Sequence, residues 1–338
     1  MQLCIFLLLC STTVGVAIKR YTIDLDVEPE NRWNEVIRDH LQYIPAIAEE
    51  SKSYIPSKLQ PFVWWLAARI GNLFSEEYER ELKGIAREAN LPLGEVVGLN
   101  ILYDITAFDR KHILSGLGCT SIVAQDKDGK IIHGRNLDYE MGSLLKNITV
   151  LVDFTRNGKI VYAGTTFALY NGLLTGQRPS AFTVSLNARY SGAYIDNILM
   201  ELYTRFKRPV SYLIREGALT RFTSTPLISP SYIILGGMSN YEGVVISRNR
   251  MKAFDIYTLS KDRWYLVETN FDHWKKDGDK RRTTAQAALD KVGRSNLHSQ
   301  YLQNILLLEP VRNNLTIYST VLSASSPSNF YDSFQIIN

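Results

Sequence analysis

The residue types that could do chemistry gather in one stretch, "GLGCTSIVAQDKDGKIIHGRNLDYE", Gly116 to Glu140, which holds Cys119. The only other cysteines, Cys4 and Cys10, lie in an apolar N-terminal run, so loss of that run leaves Cys119 unpaired. A lone cysteine in a secreted chain calls for an explanation. It is either an inert thiol buried as a small hydrophobe or a nucleophile, and composition does not separate the two. If the Gly118–Cys119 bond is cut, Cys119 becomes an N-terminus. Its own α-amine can then serve as general base, with no separate histidine. That amine has an ordinary pKa of about 8, which burial or nearby cations lower towards a working pH. Of the five histidines, only His133 and His273 fall in strand-like segments. The Thr120-Ser121 that follows the cysteine does not match the aromatic context of papain-type nucleophiles. One cysteine and scattered histidines give no metal-ligand spacing, so neither a metal nor a cofactor is expected.

The elements that must position Cys119 change character at that residue. From about Glu28 to Asp109 the pattern is helical. "SEEYERELKGIAREAN" opens on a capping Ser75 and places Tyr78, Leu82, Ile85, Ala86 and Ala89 on one face, and a second helix runs through "LGEVVGLNILYD". Beyond Cys119 the period falls to 2. "CTSIVAQD", "KIIHGRNLD", "NITVLVDFT" and "KIVYAGTTFA" read as short antiparallel strands, joined by turns at Asp128-Gly129 and Asn157-Gly158. "PSAFTVSLNAR", a helix from about Asp196 to Arg221, and the strands "SYIILGG", "GVVISRN", "KAFDIYTL" and "RWYLVETN" follow. Two helices, near Arg281 to Lys291 and His298 to Leu308, precede a last strand, "LTIYSTVLSA". Sheets that cover each other and are covered by helices would bury this much apolar surface.

Composition sets outer bounds. Leu3 to Cys10 is apolar and too short to span a bilayer, and Gly15 and Ala17 form a small-x-small site, so residues 1–17 read as a signal peptide. The sequons at Asn147 and Asn314 agree with entry to the secretory path. About 320 residues then remain, enough for one large domain or two small ones. With 45% hydrophobic residues the chain can bury a large core, and a dispersed net charge of +4 does not point to nucleic acid. "PFVWWLAARIGNLF", Pro61 to Phe74, sets Phe62, Trp64 and Trp65 beside the single charge of Arg69. It suits an interfacial helix in peripheral contact with a membrane of anionic lipid, although a core helix shows the same pattern.

"CTSIVAQD" followed by "HGRNLDY" resembles the start of the catalytic subunit in the acid ceramidase and N-acylethanolamine acid amidase family, lysosomal N-terminal nucleophile hydrolases. "GTTFALYNGLLTGQRP", "FTVSLNAR", "TPLI", "YIILGG", "GVVISRNR", "VETNFDHWK", "RRTT" and "NNLTIY" agree in order, so the resemblance covers nearly all of the chain after residue 17. "CTSIVAQD", "LTGQ", "FTVS" and "VETNFDHWK" are more like the amidase branch, and "SLNAR" more like the ceramidase.

The resemblance implies an α+β fold with a four-layer αββα core. It implies a lysosomal proenzyme that cuts itself between Gly118 and Cys119 into a helical α-subunit, 18–118, and a catalytic β-subunit, 119–338, which stay together as an α/β heterodimer. The substrate would be a fatty acid amide lipid, an N-acylethanolamine such as N-palmitoylethanolamine, with ceramide hydrolysis or a non-catalytic lipid-binding role as alternatives. Carried over by motif, Arg135 stabilises the thiolate or the substrate's polar end, Asp138 holds the new α-amine, and Asn270 gives a side-chain N–H to the oxyanion. Asn187 and Arg281 match supporting or substrate-binding positions. An arginine within an apolar strand usually has a buried anionic partner. The chain departs from the family in having Ala188 where a Glu precedes the Arg, and in a loop before Cys119 longer by roughly ten residues. It also lacks the ceramidase branch's inter-chain cysteines, so packing alone would join its two subunits.

Overall fold

A computed structural model describes residues 16–53, 58, 60–61, 64–65, 75–106, 118–189, 219–227, 229–275, 280–326 and 331–335. Residues 1–15, Phe62, the loop before Gly118 and the helix expected from Asp196, as far as residue 218, lie outside the described residues.

The N-terminal part runs β1 (Val16–Ala17), β2 (Arg20–Asp24), α1 (Asn34–His40), α2 (Ile44–Ser53), α3 (Glu76–Ala89) and α4 (Leu93–Thr106). Helix α3 buries the predicted face, and Asn90 ends it in the left-handed conformation, φ 52°. Ser75 does occupy the N-cap position, but its side chain makes no capping bond. The part is not purely helical, because β1 and β2 are strands that the sequence pattern did not reveal.

The β-rich part runs β3 (Thr120–Gln125), β4 (Ile131–Asp138), α5 (Gly142–Ile148), β5 (Thr149–Arg156), β6 (Lys159–Phe167), β7 (Thr175–Arg178) and β8 (Phe182–Ala188). It continues through α6 (Leu219–Ser224), β9 (Ser231–Gly236), β10 (Gly243–Arg248), β11 (Ala253–Thr258), β12 (Tyr265–Glu268), α7 (Arg281–Val292), α8 (Ser299–Leu306), β13 (Thr316–Leu322) and β14 (Tyr331–Gln335). The turn between β5 and β6 uses Asn157 and Gly158 at φ 50° and 70°, as a two-residue hairpin requires.

One sheet orders β1-β14-β13-β4-β3-β12 and the other β11-β10-β9-β8-β7-β6-β5-β2. Strand β2 lies parallel to β5, and β1 pairs with β14, so the N-terminal segment contributes to both sheets. Alternate residues of each strand face opposite ways. Val123, Ile131 and Leu266 of the first sheet meet Tyr232, Ile234 and Val245 of the second. On the first sheet's outer face, Ile122, Ile132 and Val321 pack on Ala285 and Leu289 of α7 and Leu302 and Leu306 of α8. Helices α1 to α4 join a larger cluster with Val150, Val152 and Phe154 of β5. The layers are thus helix, sheet, sheet, helix, as expected.

Candidate active site

Cys119 sits at the mouth of β3, one residue before the strand begins, 3% exposed and unpaired. Strand β4 runs antiparallel to β3 with Arg135 opposite Ser121, which sends the Arg135 side chain between the sheets on the thiol's side. Arg135 is fully buried. It donates to Cys119 Sγ at 3.2 Å, to the carbonyls of Leu186 at 2.7 Å and Leu174 at 2.6 Å, and to Thr175 Oγ1 at 2.5 Å. The buried carboxylate expected for this arginine does not appear in these contacts. Dipoles of the facing sheet hold the guanidinium against the sulfur.

Asp138 closes β4 on the opposite face. Its carboxylate accepts from Thr316 Oγ1 at 2.7 Å and Asn313 Nδ2 at 2.9 Å, and Arg281 Nη1 lies 3.9 Å away. Burial raises its pKa to about 6, against the opposing pull of Arg281 and the two hydrogen bonds. Thr316 is also the third residue of the sequon at Asn314, so one hydroxyl serves both that motif and the site. Asn314 and Asn147 are both exposed, and Asn147 lies in helix α5 rather than at a strand start as its segment was read.

Arg281, the first residue of α7, is 1% exposed and grips the backbone on either side of the expected cleavage point. Its Nη1 donates to the carbonyl of Gly118 in a very short contact and to that of Cys119 at 2.6 Å, and its Nη2 donates to Asn270 Oδ1 at 3.1 Å. Asn270 in turn gives one amide hydrogen to the Ala188 carbonyl at 2.8 Å. The residue expected to donate to an oxyanion is therefore a bridge as well, with its second amide hydrogen left for that role. Asn187 is bound within the protein on both ends of its amide. Its Oδ1 accepts from Ser121 Oγ at 2.9 Å, and its Nδ2 donates to the carbonyls of Glu268 and Thr269 at 3.1 and 3.0 Å, which uses both amide hydrogens.

Two features escaped the sequence reading. A narrow, apolar cavity of about 60 Å³ runs beside the site, lined by Leu99, Leu137, Met141, Leu145, Phe167 and Leu174 among others. Leu137 precedes Asp138, and Leu174 supplies a carbonyl to Arg135, so the cavity begins where the charged groups end. Behind Asn270, buried acidic and basic side chains pair with one another. Glu268 meets Arg282 at 3.0 Å, and Asp272 accepts from Arg189 and Tyr232, both at 2.7 Å. Of the aromatics read as membrane-facing, Trp65 is 53% exposed, whereas Trp64 is half-buried with its ring over Gly98 of α4. Among the described residues no group of His, Cys, Asp and Glu is arranged to hold a metal, and no helix is long and apolar enough to cross a membrane.

Two facing sheets between helical layers, with a buried thiol where a central strand begins, give this protein the fold of the N-terminal nucleophile hydrolases. A family model described as the beta subunit of N-acylethanolamine-hydrolyzing acid amidase matches residues 16–73, within the part labelled α in the sequence reading. An N-acylethanolamine-hydrolyzing acid amidase of Caenorhabditis elegans is 59% identical over 320 residues, 91% of this chain and 90% of the relative. Human acid ceramidase is 35% identical over 343 residues, 91% of this chain and 84% of the relative. A solved structure of the Caenorhabditis elegans amidase ortholog is 57% identical with a TM-score of 0.61, covering 65% of this chain and all of that one. The chain belongs to the N-acylethanolamine-hydrolyzing acid amidase and acid ceramidase family, and it is a hydrolase of linear amide bonds.

Proposed function

We propose that the protein is a self-processing lysosomal cysteine amidase that hydrolyses N-acylethanolamines to fatty acid and ethanolamine. One arrangement carries the reading. Arg135 holds Cys119 Sγ from one side, while Arg281 holds the Gly118 and Cys119 carbonyls from the other. The arrangement supports the following course of maturation. The thiol attacks the Gly118 carbonyl, the oxyanion that forms is met by Arg281, and the C–N bond breaks to free the amine of Cys119. Water then hydrolyses the thioester left on the sulfur. A fixed donor at such an oxyanion is worth roughly 2.7 to 4 kcal/mol.

Turnover repeats the chemistry on a substrate. With the α-amine of Cys119 free, Asp138 lies within the same cluster to orient it, and the amine takes the thiol proton. Cys119 attacks the amide carbonyl, the spare hydrogen of Asn270 faces the oxyanion, and ethanolamine departs with the proton. The apolar cavity beside Leu137 and Leu174 takes the part of the acyl chain nearest the thioester until water releases the fatty acid. Relatives named for N-acylethanolamine hydrolysis at 59% and 40% identity support this substrate over ceramide. Residues 119–338 make up 220 of 338 residues, a share equal in size to the 65% of this chain that the solved amidase chain covers. That agreement supports a catalytic unit beginning at Cys119. The apolar residues before Val16, where β1 begins, and the exposed Asn147 and Asn314 favour a glycosylated lysosomal protein with a signal peptide shorter than residues 1–17, and the exposed Trp65 favours peripheral membrane contact. Parallel assays of matched N-acylethanolamine and ceramide substrates test the reading. Faster hydrolysis of ceramide would reassign the substrate, and full activity in Cys119→Ala would overturn the mechanism.

A further inference from the structure

A chain of hydrogen bonds runs between the two sheets from His133 to the strand end that carries Asn270. His133 Nε2 lies 2.9 Å from Ser185 Oγ, Ser185 Oγ lies 2.8 Å from Ser121 Oγ, and Ser121 Oγ lies 2.9 Å from Asn187 Oδ1. Asn187 then reaches the Glu268 and Thr269 carbonyls. Every member is at most 1% exposed, so water cannot replace a missing partner.

The direction of the chain follows from its last link. Two carbonyl oxygens can only accept, so Asn187 presents Nδ2 to them and Oδ1 to Ser121. Ser121 must donate to Oδ1, which leaves it to accept from Ser185. Ser185, its one hydrogen spent, must accept from His133, and the Nε2 of that ring carries the proton. Burial and the neighbouring Arg135 cation lower the His133 pKa to about 3, so the ring is neutral and Nδ1 is an acceptor. Thr183 Oγ1 lies 3.0 Å from Nδ1 and 3.1 Å from the Gly236 carbonyl, and its single hydrogen turns to Nδ1 when the ring carries its proton at Nε2.

We propose that His133 is a positioning residue: as the Nε2–H tautomer it sets the direction of a hydrogen-bond chain through Ser185, Ser121 and Asn187, which fixes the Glu268–Thr269 backbone and so Asn270 beside Arg281 and Cys119. It touches neither thiol nor substrate. Its effect is on geometry, where a displacement of about 1 Å far from the reacting atoms can cost about a hundredfold in rate. The inference rests on Cys119 being the nucleophile and Asn270 serving its oxyanion.

The test compares His133→Leu, which has no donor, with His133→Gln, whose amide can donate to Ser185 and accept from Thr183. Both are assayed as mature enzyme on one N-acylethanolamine beside Cys119→Ala. His133→Leu is expected to lose kcat by about 10- to 100-fold with KM within about threefold of the parent, and His133→Gln to recover kcat to within about threefold. Ser121→Ala should add little to the loss in His133→Leu, because both break the same chain. Equal losses in the Leu and Gln variants, or a loss confined to KM, would overturn the proposal while Cys119→Ala stays inactive. Activity in Cys119→Ala would instead remove the reading beneath it. If His133→Leu does not fold, the parent labelled with 15N-histidine still decides. A neutral ring protonated at Nε2 supports the proposal, and an Nδ1–H ring or an imidazolium refutes it.

Discussion

Replacing Glu268 with Gln should remove much of the protein's loss of stability at high pH. Glu268 is fully buried, with Oε1 accepting from the Thr269 amide and from Arg282 Nη2, 3.1 and 3.0 Å away. Its Oε2 has no hydrogen-bond partner among the described residues. An oxygen so stripped of donors favours the neutral acid, and burial outweighs Arg282 to raise the pKa to about 8 from an ordinary 4.5. Because the folded value lies above the unfolded one, the folded chain keeps a proton that the unfolded chain has released. The resulting stability is complete below about pH 4.5 and declines as pH rises through about 8. At about 1.4 kcal/mol per pH unit, the gap amounts to roughly 5 kcal/mol, as an order of magnitude. Asp138, raised to about 6, acts in the same sense over a narrower range. His133 acts in the opposite sense, because its lowered pKa gives stability that is complete above about pH 6.5 and declines as pH falls towards about 3. The difference between parent and variant cancels these two and isolates Glu268. Urea unfolding of the intact Cys119→Ala chain with and without Glu268→Gln, at about pH 4.5, 6 and 8, is the assay. The two should be nearly equal at the lowest pH, with the variant more stable by several kcal/mol at the highest. Parallel stability curves across the range would show that Glu268 has the same pKa folded as unfolded and that the reasoning is wrong.

Other substitutions probe the site itself. Arg281→Ala should leave the precursor uncut, with a rate loss of about 10² to 10³ for a missing oxyanion donor, read as a single band on a denaturing gel after acid incubation. Asp138→Asn keeps one acceptor oxygen where the carboxyl group has two, so it should lose its contact with either Thr316 or Asn313 and loosen its hold on the amine, lowering turnover at least tenfold by initial-rate assay. Leu145→Trp should fill the apolar cavity and shift preference towards shorter acyl chains, measured as the ratio of kcat/KM for long and short N-acylethanolamines. Trp65→Asp should lower activity on liposome-borne substrate relative to soluble substrate, and an unchanged ratio would argue against membrane contact there.

What the sequence made legible follows the range over which its signals act. Cys119, Arg135 and Asp138 share one hairpin, so an unpaired thiol, an arginine in an apolar strand and the motif around them could be read locally. The strands from β3 to β6 and the turn at Asn157-Gly158 are equally local and were recovered. Strand β7 is four residues, and β2 and β14 gain their identity only from the strands beside them. The same limit hid the roles of single residues. That Arg281 clasps a carbonyl 163 positions earlier follows from the packing of α7 against the first sheet, not from spacing. Asn187 was read as a site residue by motif, but only the pairing of β8 with β9 and the nearness of β12 show both its amide hydrogens consumed. Glu81 shows the same effect in the helical part. It reads as one more acid on a charged helix, yet it is fully buried, accepting from Trp33, Asn171 and Arg32.

The account depends on Cys119 being first a cleavage site and then a nucleophile. Intact mass analysis of the purified chain after incubation at about pH 4.5 with N-palmitoylethanolamine, quenched during turnover, tests both together. The account predicts two polypeptides that meet between Gly118 and Cys119, a palmitoyl adduct on the one beginning with Cys119, and neither product from Cys119→Ala. An uncut chain that still releases palmitate, or an adduct on any other residue, would contradict it.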